Sequence, residues 1–276
     1  ELEGQIHAEL EGQIPAGLEG QIPAGLEGKV LGKQESRAPA SEQDLEARLQ
    51  AVLSDFHSGG SFPGASAAVA LPSGEVIRVV VGQADTVRGE PMTPEALMLQ
   101  GSVGKTYFAA LVMLLVGDGR LELDAPVSRY LGQEPWYSRI PNAQGITVRH
   151  LMTHTSGVMR YEFKEAFTED LTANPDKVWE PEELLAYVLD EEASFPPGQG
   201  WEYSDTNFIL LGMIMEHLTG RTCYDMIQER ILRPLGLQHT VPSSTRRIPG
   251  LVQGYAGPGN PFGGTDEVLL PDGRFV

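Results

Sequence analysis

Two side chains that can form a nucleophile and its base stand three residues apart. Ser102 and Lys105 lie in the segment Gln100-Gly-Ser-Val-Gly-Lys-Thr-Tyr107, directly before a long apolar run. Residues i and i+3 share one face of a helix, so the lysine amine can reach the serine oxygen. The helix N-terminus also presents unpaired backbone N–H groups that stabilise an oxyanion. The spacing therefore predicts a serine nucleophile activated by a lysine, provided that the lysine is held neutral.

A tyrosine later in the chain supplies a partner for this pair. Serine is a common N-cap and lysine a common helix residue, so Ser-x-x-Lys alone does not establish catalysis. Tyr203-Ser204-Asp205 follows a Pro- and Gly-rich turn and precedes an apolar helical run, so its side chains can project into a cleft. A lysine cation favours the phenolate of a neighbouring tyrosine. Lys105 and Tyr203 can therefore share one proton and take another from Ser102.

These motifs resemble the serine beta-lactamase-related superfamily. Ser102-x-x-Lys105 at a helix start and Tyr203-Ser-Asp205 about a hundred residues later are similar to its class C beta-lactamase, D-alanyl-D-alanine carboxypeptidase, D-aminopeptidase and family VIII esterase branch. Further blocks agree with this resemblance: His150-Leu-Met-Thr-His-Thr-Ser-Gly157, Pro196-Pro-Gly198, Tyr203-Ser-Asp-Thr-Asn-Phe-Ile-Leu-Leu-Gly212 and Arg233-Pro-Leu-Gly-Leu-Gln-His-Thr240. The resemblance covers residues 45–260.

The resemblance implies a role for each matching residue. Ser102 would be the acylated nucleophile, with its own N–H as half of the oxyanion hole. Lys105 would activate Ser102, and Tyr203 would carry the proton to the leaving group and later activate water. Asp205 stands where the family usually has asparagine and would bind substrate. An ionised aspartate can only accept hydrogen bonds and favours a protonated Lys105. Asp205 is equally well interpreted as the N-cap of the helix that follows.

The implied activity is hydrolysis through an acyl-enzyme of a D-amino-acid peptide or related amide, as in a D-Ala-D-Ala carboxypeptidase. Beta-lactamase and carboxylesterase activities stay open, because they use the same machinery and differ in pocket shape. A non-catalytic penicillin-binding-like or assembly protein is the alternative of another class. Family resemblance favours export to the periplasm or the exterior.

The third motif of this family, Lys/His-Thr/x-Gly on a strand beside the nucleophile, is not matched. Gly263-Gly-Thr-Asp266 lacks the cation, and little sequence after residue 255 predicts further strands. We therefore expect the C-terminal sheet strands and half of the oxyanion hole to be supplied by a missing segment or a second chain. Loss of one oxyanion donor commonly costs about 10²–10³ in rate.

The elements that must position the site predict an α+β fold. Apolar periodicity indicates a helix over 41–56, and two antiparallel strands are predicted over 64–71 and 75–82, joined by a Pro-Ser-Gly turn. From about 120 to 240 the chain is mostly helical by pattern. Helices are predicted there over 147–157, 180–192, 208–218 and 225–232. The expected fold is an antiparallel sheet flanked by helices, with a large helical region.

The chain divides into an N-terminal arm and a hydrolase domain. An octad repeat begins at Leu2, Leu10 and Leu18, and its Gly and Pro residues argue against a helix. We assign residues 1–40 to this arm and its linker, and residues 41–276 to the domain.

Composition excludes several other classes. With 38 acidic and 20 basic residues the net charge is −18, so nucleic-acid binding is not expected. Apolar runs are too short for a membrane span. Cys223 cannot form an internal disulfide and is expected in the core. The partner expected is a small molecule or a peptide.

The sequence does not support a metal site, a phosphate-binding P-loop or a nucleophile elbow. His150 and His154 lack an acidic partner with zinc-site spacing, so neither a metal nor a cofactor is expected. With Ser156, His154 belongs to a family block that packs under the site. Gly101-Ser-Val-Gly-Lys-Thr106 imitates a P-loop, but Leu99 stands where its first glycine is required. Gln100 likewise replaces the first glycine of a nucleophile elbow.

Overall fold

The structure is a computed structural model that describes residues 42–60, 62–174, 176–245 and 248–255. The strands are β1 (Gly64–Ala70), β2 (Val76–Asp85) and β3 (Glu90–Pro91). The helices are α1 (Glu42–Gly59), α2 (Lys105–Gly117), α3 (Ser128–Leu131), α4 (Val148–Met152), α5 (Glu165–Ala173), α6 (Pro181–Leu185), α7 (Asp205–Thr219) and α8 (Cys223–Ile227). The arm predicted over 1–40 and the segment Gly263–Asp266 lie outside the described residues.

A small antiparallel sheet forms one side of the domain. β1 pairs with β2 from Gly64 opposite Gly82 to Ala70 opposite Val76, and β3 adds to the other edge of β2. The predicted α+β arrangement with an antiparallel hairpin is therefore confirmed. Among the described strands, β1 is an edge strand without a second neighbour.

Helix α1 packs on this sheet through part of its apolar face. Gln50 Nε2 donates to the Val80 carbonyl at 3.0 Å and ties the helix to β2. Val52 and Phe56 belong to the same apolar face by their spacing, yet they are 57% and 58% exposed. Three described strands are too narrow to cover the whole face of an 18-residue helix.

The hydrophobic core lies between α2, α7 and α8. Leu111 and Leu115 of α2 and Leu211 and Ile214 of α7 are all 0% exposed. Burial of each such side chain is worth about 1.5–3 kcal/mol, so this contact is the main anchor of the segment that carries Ser102 and Lys105. Cys223 is buried in the same core, as predicted, and burial raises the pKa of its thiol to about 12.

Several predicted helices differ from the observed ones. The helix predicted over 147–157 ends at Met152, and the chain then turns through His154, whose φ is +58°. The helix predicted over 180–192 consists of α6 and a 3-10 turn, Ala186–Val188. α7 begins three residues before the predicted start at 208. The helix predicted over 225–232 begins at Cys223 and ends as a π turn, Gln228–Leu232. No described helix is both long and apolar enough to cross a membrane.

Gly157 closes the turn under the site and leaves no room for a side chain. Its φ is +74°, and a Cβ there would lie 2.0 Å from the Phe195 carbonyl oxygen. Gly157→Ala is expected to destabilise the protein by about 2–5 kcal/mol, since left-handed strain adds to overlap. Gly119 provides the matched control, because its φ is +69° and no other part of the described chain lies within 4 Å of a Cβ added there. Gly119→Ala should lower the free energy of unfolding only by the strain of the left-handed backbone, about 1–2 kcal/mol. Urea unfolding measures the free energy of unfolding of both variants. Equal decreases would contradict the claim that a side chain at position 157 overlaps the Phe195 carbonyl.

Candidate active site

The structure brings the three predicted catalytic residues together. Ser102 lies in a 3-10 turn, Gly101–Gly104, and Lys105 is the first residue of α2. Lys105 Nζ donates to Ser102 Oγ at 3.2 Å, and Tyr203 Oη donates to the same oxygen at 2.7 Å. The serine oxygen thus contacts two groups that can accept its proton when they are deprotonated.

The loop that carries Tyr203 is fixed by the turn after α4. The rings of Tyr203 and His154 lie 4.4 Å apart at 31°. His154 Nδ1 accepts from the Ser204 backbone N–H at 3.1 Å, and the buried Ser204 hydroxyl donates to the Met159 carbonyl at 3.2 Å. Burial, followed by the charge of Lys105, lowers the pKa of His154 and keeps its ring neutral. A neutral acceptor at this position holds the backbone that aims Tyr203 at Ser102.

Ser156 belongs to the support of the site. Its hydroxyl donates to Asn207 Oδ1 at 2.7 Å, and both residues are buried. The Asn207 amide lies 3.4 Å from His154 Nδ1. Ser156 and His154 therefore meet through Asn207 of α7, and their hydrogen bonds connect α7 to the turn rather than form a Ser-His pair.

Asp205 lies beside Lys105. Ser204, with extended backbone angles, is the N-cap of α7, so the interpretation of Asp205 as the cap is wrong. One carboxylate oxygen of Asp205 accepts from Lys105 Nζ, and the other accepts from Arg160 at 3.0 Å. Its side chain is 24% exposed. Its binding of substrate stays a prediction.

The lysine is held as a cation. Burial lowers the pKa of Lys105, but hydrogen bonds to Asp205 and Tyr203 and the charges of these two groups outweigh burial and raise it. Asp205 shows the reverse: burial raises its pKa, and its contacts with Glu162, Lys105 and Arg160 lower it overall. The condition that Lys105 be neutral is therefore not met at rest. For this pair to take a proton from Ser102, the Lys105–Tyr203 pair would first have to lose one.

Two charged residues of the site were not found from the sequence. Arg160 Nε donates to Glu162 Oε1 at 2.7 Å, while its terminal nitrogen contacts Asp205. The guanidinium also lies 5.1 Å from the centre of the Tyr203 ring. The sequence feature that could have indicated them is the presence of one cation and one acid in the otherwise apolar run Val158–Phe163. This run directly follows the His150–Gly157 block.

A large cavity opens beside Lys105 and Asp205. Its volume is about 620 Å³, within the range of about 300–1,000 Å³ typical of small-ligand sites. Its walls are mainly apolar and aromatic, and include Leu97, Met98, Trp179, Phe208, Met213 and Tyr224. The lining also carries the charged side chains of Lys105, Asp205 and Glu216, so the cavity suits a substrate with a polar reacting group and an apolar side chain.

The described part of the chain contains no group of three or more His, Cys, Asp or Glu side chains placed to hold a metal ion. His150 is engaged elsewhere: its Nδ1 accepts from the Thr147 backbone N–H at 3.2 Å. That contact completes the capping box of α4.

The fold and the site together define a class of protein. A serine at the start of a buried helix, with a lysine one turn on and a tyrosine from a distant loop on its oxygen, is the arrangement of active-serine proteins with a Ser-x-x-Lys motif. The Beta-lactamase family model matches residues 44–272. The chain belongs to the beta-lactamase family, and the predicted superfamily and fold are confirmed.

Similar proteins come from several branches of this family. Esterase EstB of Burkholderia gladioli is 32% identical over 239 residues, which are 83% of this chain and 60% of that protein. A D-stereospecific amidohydrolase from Streptomyces sp. has a TM-score of 0.66 at 30% identity, covering 76% of this chain and 61% of that one. The D-amino acid amidase of Ochrobactrum anthropi SV3, in complex with D-phenylalanine, has a TM-score of 0.66 at 30% identity. The match covers 84% of this chain and 62% of the amidase. The chain therefore spans less than two thirds of the length of these proteins.

Proposed function

We propose that the protein is a serine hydrolase that acts through an acyl-enzyme on Ser102, with a D-amino-acid amide or short D-peptide as substrate. The observation that carries the proposal is the pair of hydrogen bonds that Ser102 Oγ accepts, from Lys105 at 3.2 Å and Tyr203 at 2.7 Å. Membership of the beta-lactamase family supports the same type of reaction.

The geometry suggests the order of proton movements. Once the Lys105–Tyr203 pair has lost a proton, Tyr203 takes the hydroxyl proton of Ser102 as Oγ attacks the carbonyl carbon. The C–N bond then breaks, and the departing amine takes that proton. Tyr203 next deprotonates a water molecule, which attacks the ester carbonyl; the acid leaves and Ser102 regains its proton. The positive end of α2 favours the oxyanion in both steps.

The cavity and the neighbours support a D-amino-acid substrate. The apolar wall can take a hydrophobic side chain, and Lys105, whose amine donates to Ser102 Oγ, lines the same cavity together with Asp205. Two structurally similar proteins support the D configuration: one is a D-stereospecific amidohydrolase and the other is a D-amino acid amidase. The test is turnover by the full-length protein of D-phenylalanine amide, L-phenylalanine amide and a D-Ala-D-Ala peptide. Preference for the L-amide, or no turnover of any D-substrate, would contradict this choice.

Ester hydrolysis is the second candidate, because EstB is an esterase at 32% identity. A p-nitrophenyl ester and a chromogenic cephalosporin, assayed beside the amides, separate esterase and beta-lactamase from amidase. An ester turned over with a far higher kcat/KM than any amide would replace the first proposal. No covalent labelling of the full-length protein by fluorescent penicillin or a fluorophosphonate would favour a non-catalytic protein.

Asp205 sets the pH at which the site becomes active. After burial, which lowers the pKa of Lys105, contacts with Asp205 and Tyr203 raise it. Asp205→Asn should therefore lower that pKa and move the rise of kcat/KM with pH to lower pH, by about one to two units. Rates below the wild-type midpoint should increase. Asp190→Asn is the matched control, since Asp190 pairs with Arg139 on the surface. A midpoint that stays in place, or moves to higher pH, contradicts this account.

A further inference from the structure

A network of two cations and two carboxyl groups lies beneath the nucleophile. Asp205 bridges Lys105 and Arg160, and Arg160 bridges Asp205 and Glu162. The exposed fractions of these side chains are all between 20% and 27%. In such a partly buried site, charges are weakly screened by solvent and their balance matters.

One carboxyl oxygen of Glu162 lacks a hydrogen-bond donor in the described structure if the side chain is ionised. Oε1 accepts from Arg160, whereas Oε2 is buried and, as a carboxylate oxygen, has no hydrogen-bond partner among the described residues. A proton on Glu162 removes this difficulty, because the two carboxyl groups of Glu162 and Asp205 share a side-chain hydrogen bond that needs one donor. Burial, followed by the contact with Asp205, raises the pKa of Glu162, in agreement with a protonated side chain.

The charge balance of the network then favours the active state of the site. With Glu162 protonated and Lys105 neutral, the remaining charges are Arg160 and Asp205, and they cancel. Without Arg160, Asp205 would have Lys105 as its cation and would oppose the loss of its proton. Arg160 hydrogen-bonds Asp205 at 3.0 Å, whereas its guanidinium lies 5.1 Å from the centre of the Tyr203 ring, so the hydrogen-bonded route through Asp205 is the stronger one.

We propose that Arg160 is a positioning residue that shares the Asp205 carboxylate with Lys105, and that Glu162 holds the proton that keeps the network neutral when Lys105 releases its own. This inference rests on the proposed function. The titratable and charged groups that face Asp205 and Lys105 are Arg160, Tyr161 and Glu162 of the segment after α4, His154 of the same turn, and Tyr203. Among these, Arg160 is the permanent cation.

The test is the rate of Ser102 modification by a fluorophosphonate as a function of pH, in the full-length protein. Arg160→Gln should move the midpoint to higher pH by about one to two units, a loss of about tenfold in rate per unit below the new midpoint. Arg160→Lys keeps the charge and should keep most of the wild-type profile. A structural role alone would lower the rate at every pH without moving the midpoint, and thermal unfolding reports that role separately.

The double variant makes the test specific. Removal of Arg160 in the Asp205→Asn background should shift the midpoint by less than half of its shift in the wild-type background, because no carboxylate remains to be shared. The double variant pairs two neutral amides. If Arg160→Gln alone fails to fold, a midpoint of the double variant more than about one pH unit above that of Asp205→Asn would still overturn the inference. Equal shifts in the two backgrounds, or none in Arg160→Gln, would overturn the role of Arg160.

Infrared spectroscopy tests Glu162 without reference to activity. A C=O band of a protonated carboxylic acid should be present at neutral pH and absent in Glu162→Gln. Its absence from the wild type would overturn the protonated state. If the wild type is labelled and the pH midpoint of Arg160→Gln is unchanged, the role of Arg160 is contradicted while the proposed function stands. A wild type that is not labelled at any pH contradicts the proposed function and the inference with it.

Discussion

Ser102→Ala is expected to abolish turnover, with a fall in kcat of about 10³- to 10⁶-fold. The variant removes the only oxygen that contacts both Lys105 and Tyr203 in the described site. Deletion of a serine nucleophile leaves whatever catalysis binding and the oxyanion hole provide, which is typically small. The assay is hydrolysis of the best amide or ester substrate at saturating concentration, with thermal unfolding to show that the variant is folded.

Ser58→Ala is the matched control for this variant. Ser58 lies near the end of α1, is exposed, and donates to the Asp55 carbonyl. Its replacement should leave kcat within twofold of the wild type. A Ser102→Ala protein that retains more than a tenth of the wild-type kcat would contradict the assignment of Ser102 as nucleophile.

Tyr203→Phe is expected to lower kcat/KM by about 10²- to 10⁴-fold, the range of a lost general acid–base group. The substitution removes the hydroxyl that lies 2.7 Å from Ser102 Oγ and keeps the ring that packs on His154. The thermal midpoint should change little, because the ring contact persists. Tyr203 both receives the serine proton and activates water in the proposed mechanism, so acylation and deacylation should both slow.

Tyr224→Phe provides the control on the wall of the cavity. Tyr224 lines the cavity and its ring lies 6.0 Å from that of Phe108. Loss of its hydroxyl should change KM at most and leave kcat near the wild-type value. Equal effects of the Tyr203 and Tyr224 substitutions would show that the hydroxyl of Tyr203 has no special part in the chemistry.

The centre of the site could be predicted from the sequence because it depends on local spacing. Ser102 and Lys105 share one turn, so their proximity follows from the start of α2. Tyr203 is about a hundred residues away, and its position came from family resemblance rather than from local physics. The hairpin β1–β2 was predictable for the same local reason, since a Pro-Ser-Gly turn joins two apolar runs.

The remainder depends on tertiary contacts that local patterns do not contain. Arg160 and Glu162 become part of the site only because the segment after α4 folds against the start of α7. The early end of α4 has a similar cause. His154 adopts φ +58° and its Nδ1 accepts from Ser204, so the chain leaves the helix to make that contact. The capping alternative for Asp205 failed because Lys105 and Arg160 both bind its carboxylate.

The most direct test of the central claim is to locate the covalent adduct. The full-length protein is treated with a fluorophosphonate, digested, and its peptides are sequenced by mass spectrometry. We predict one modified residue, Ser102, with no adduct in Ser102→Ala and a much slower one in Tyr203→Phe. An adduct on another serine such as Ser156, or no adduct on the folded full-length protein, would contradict the account.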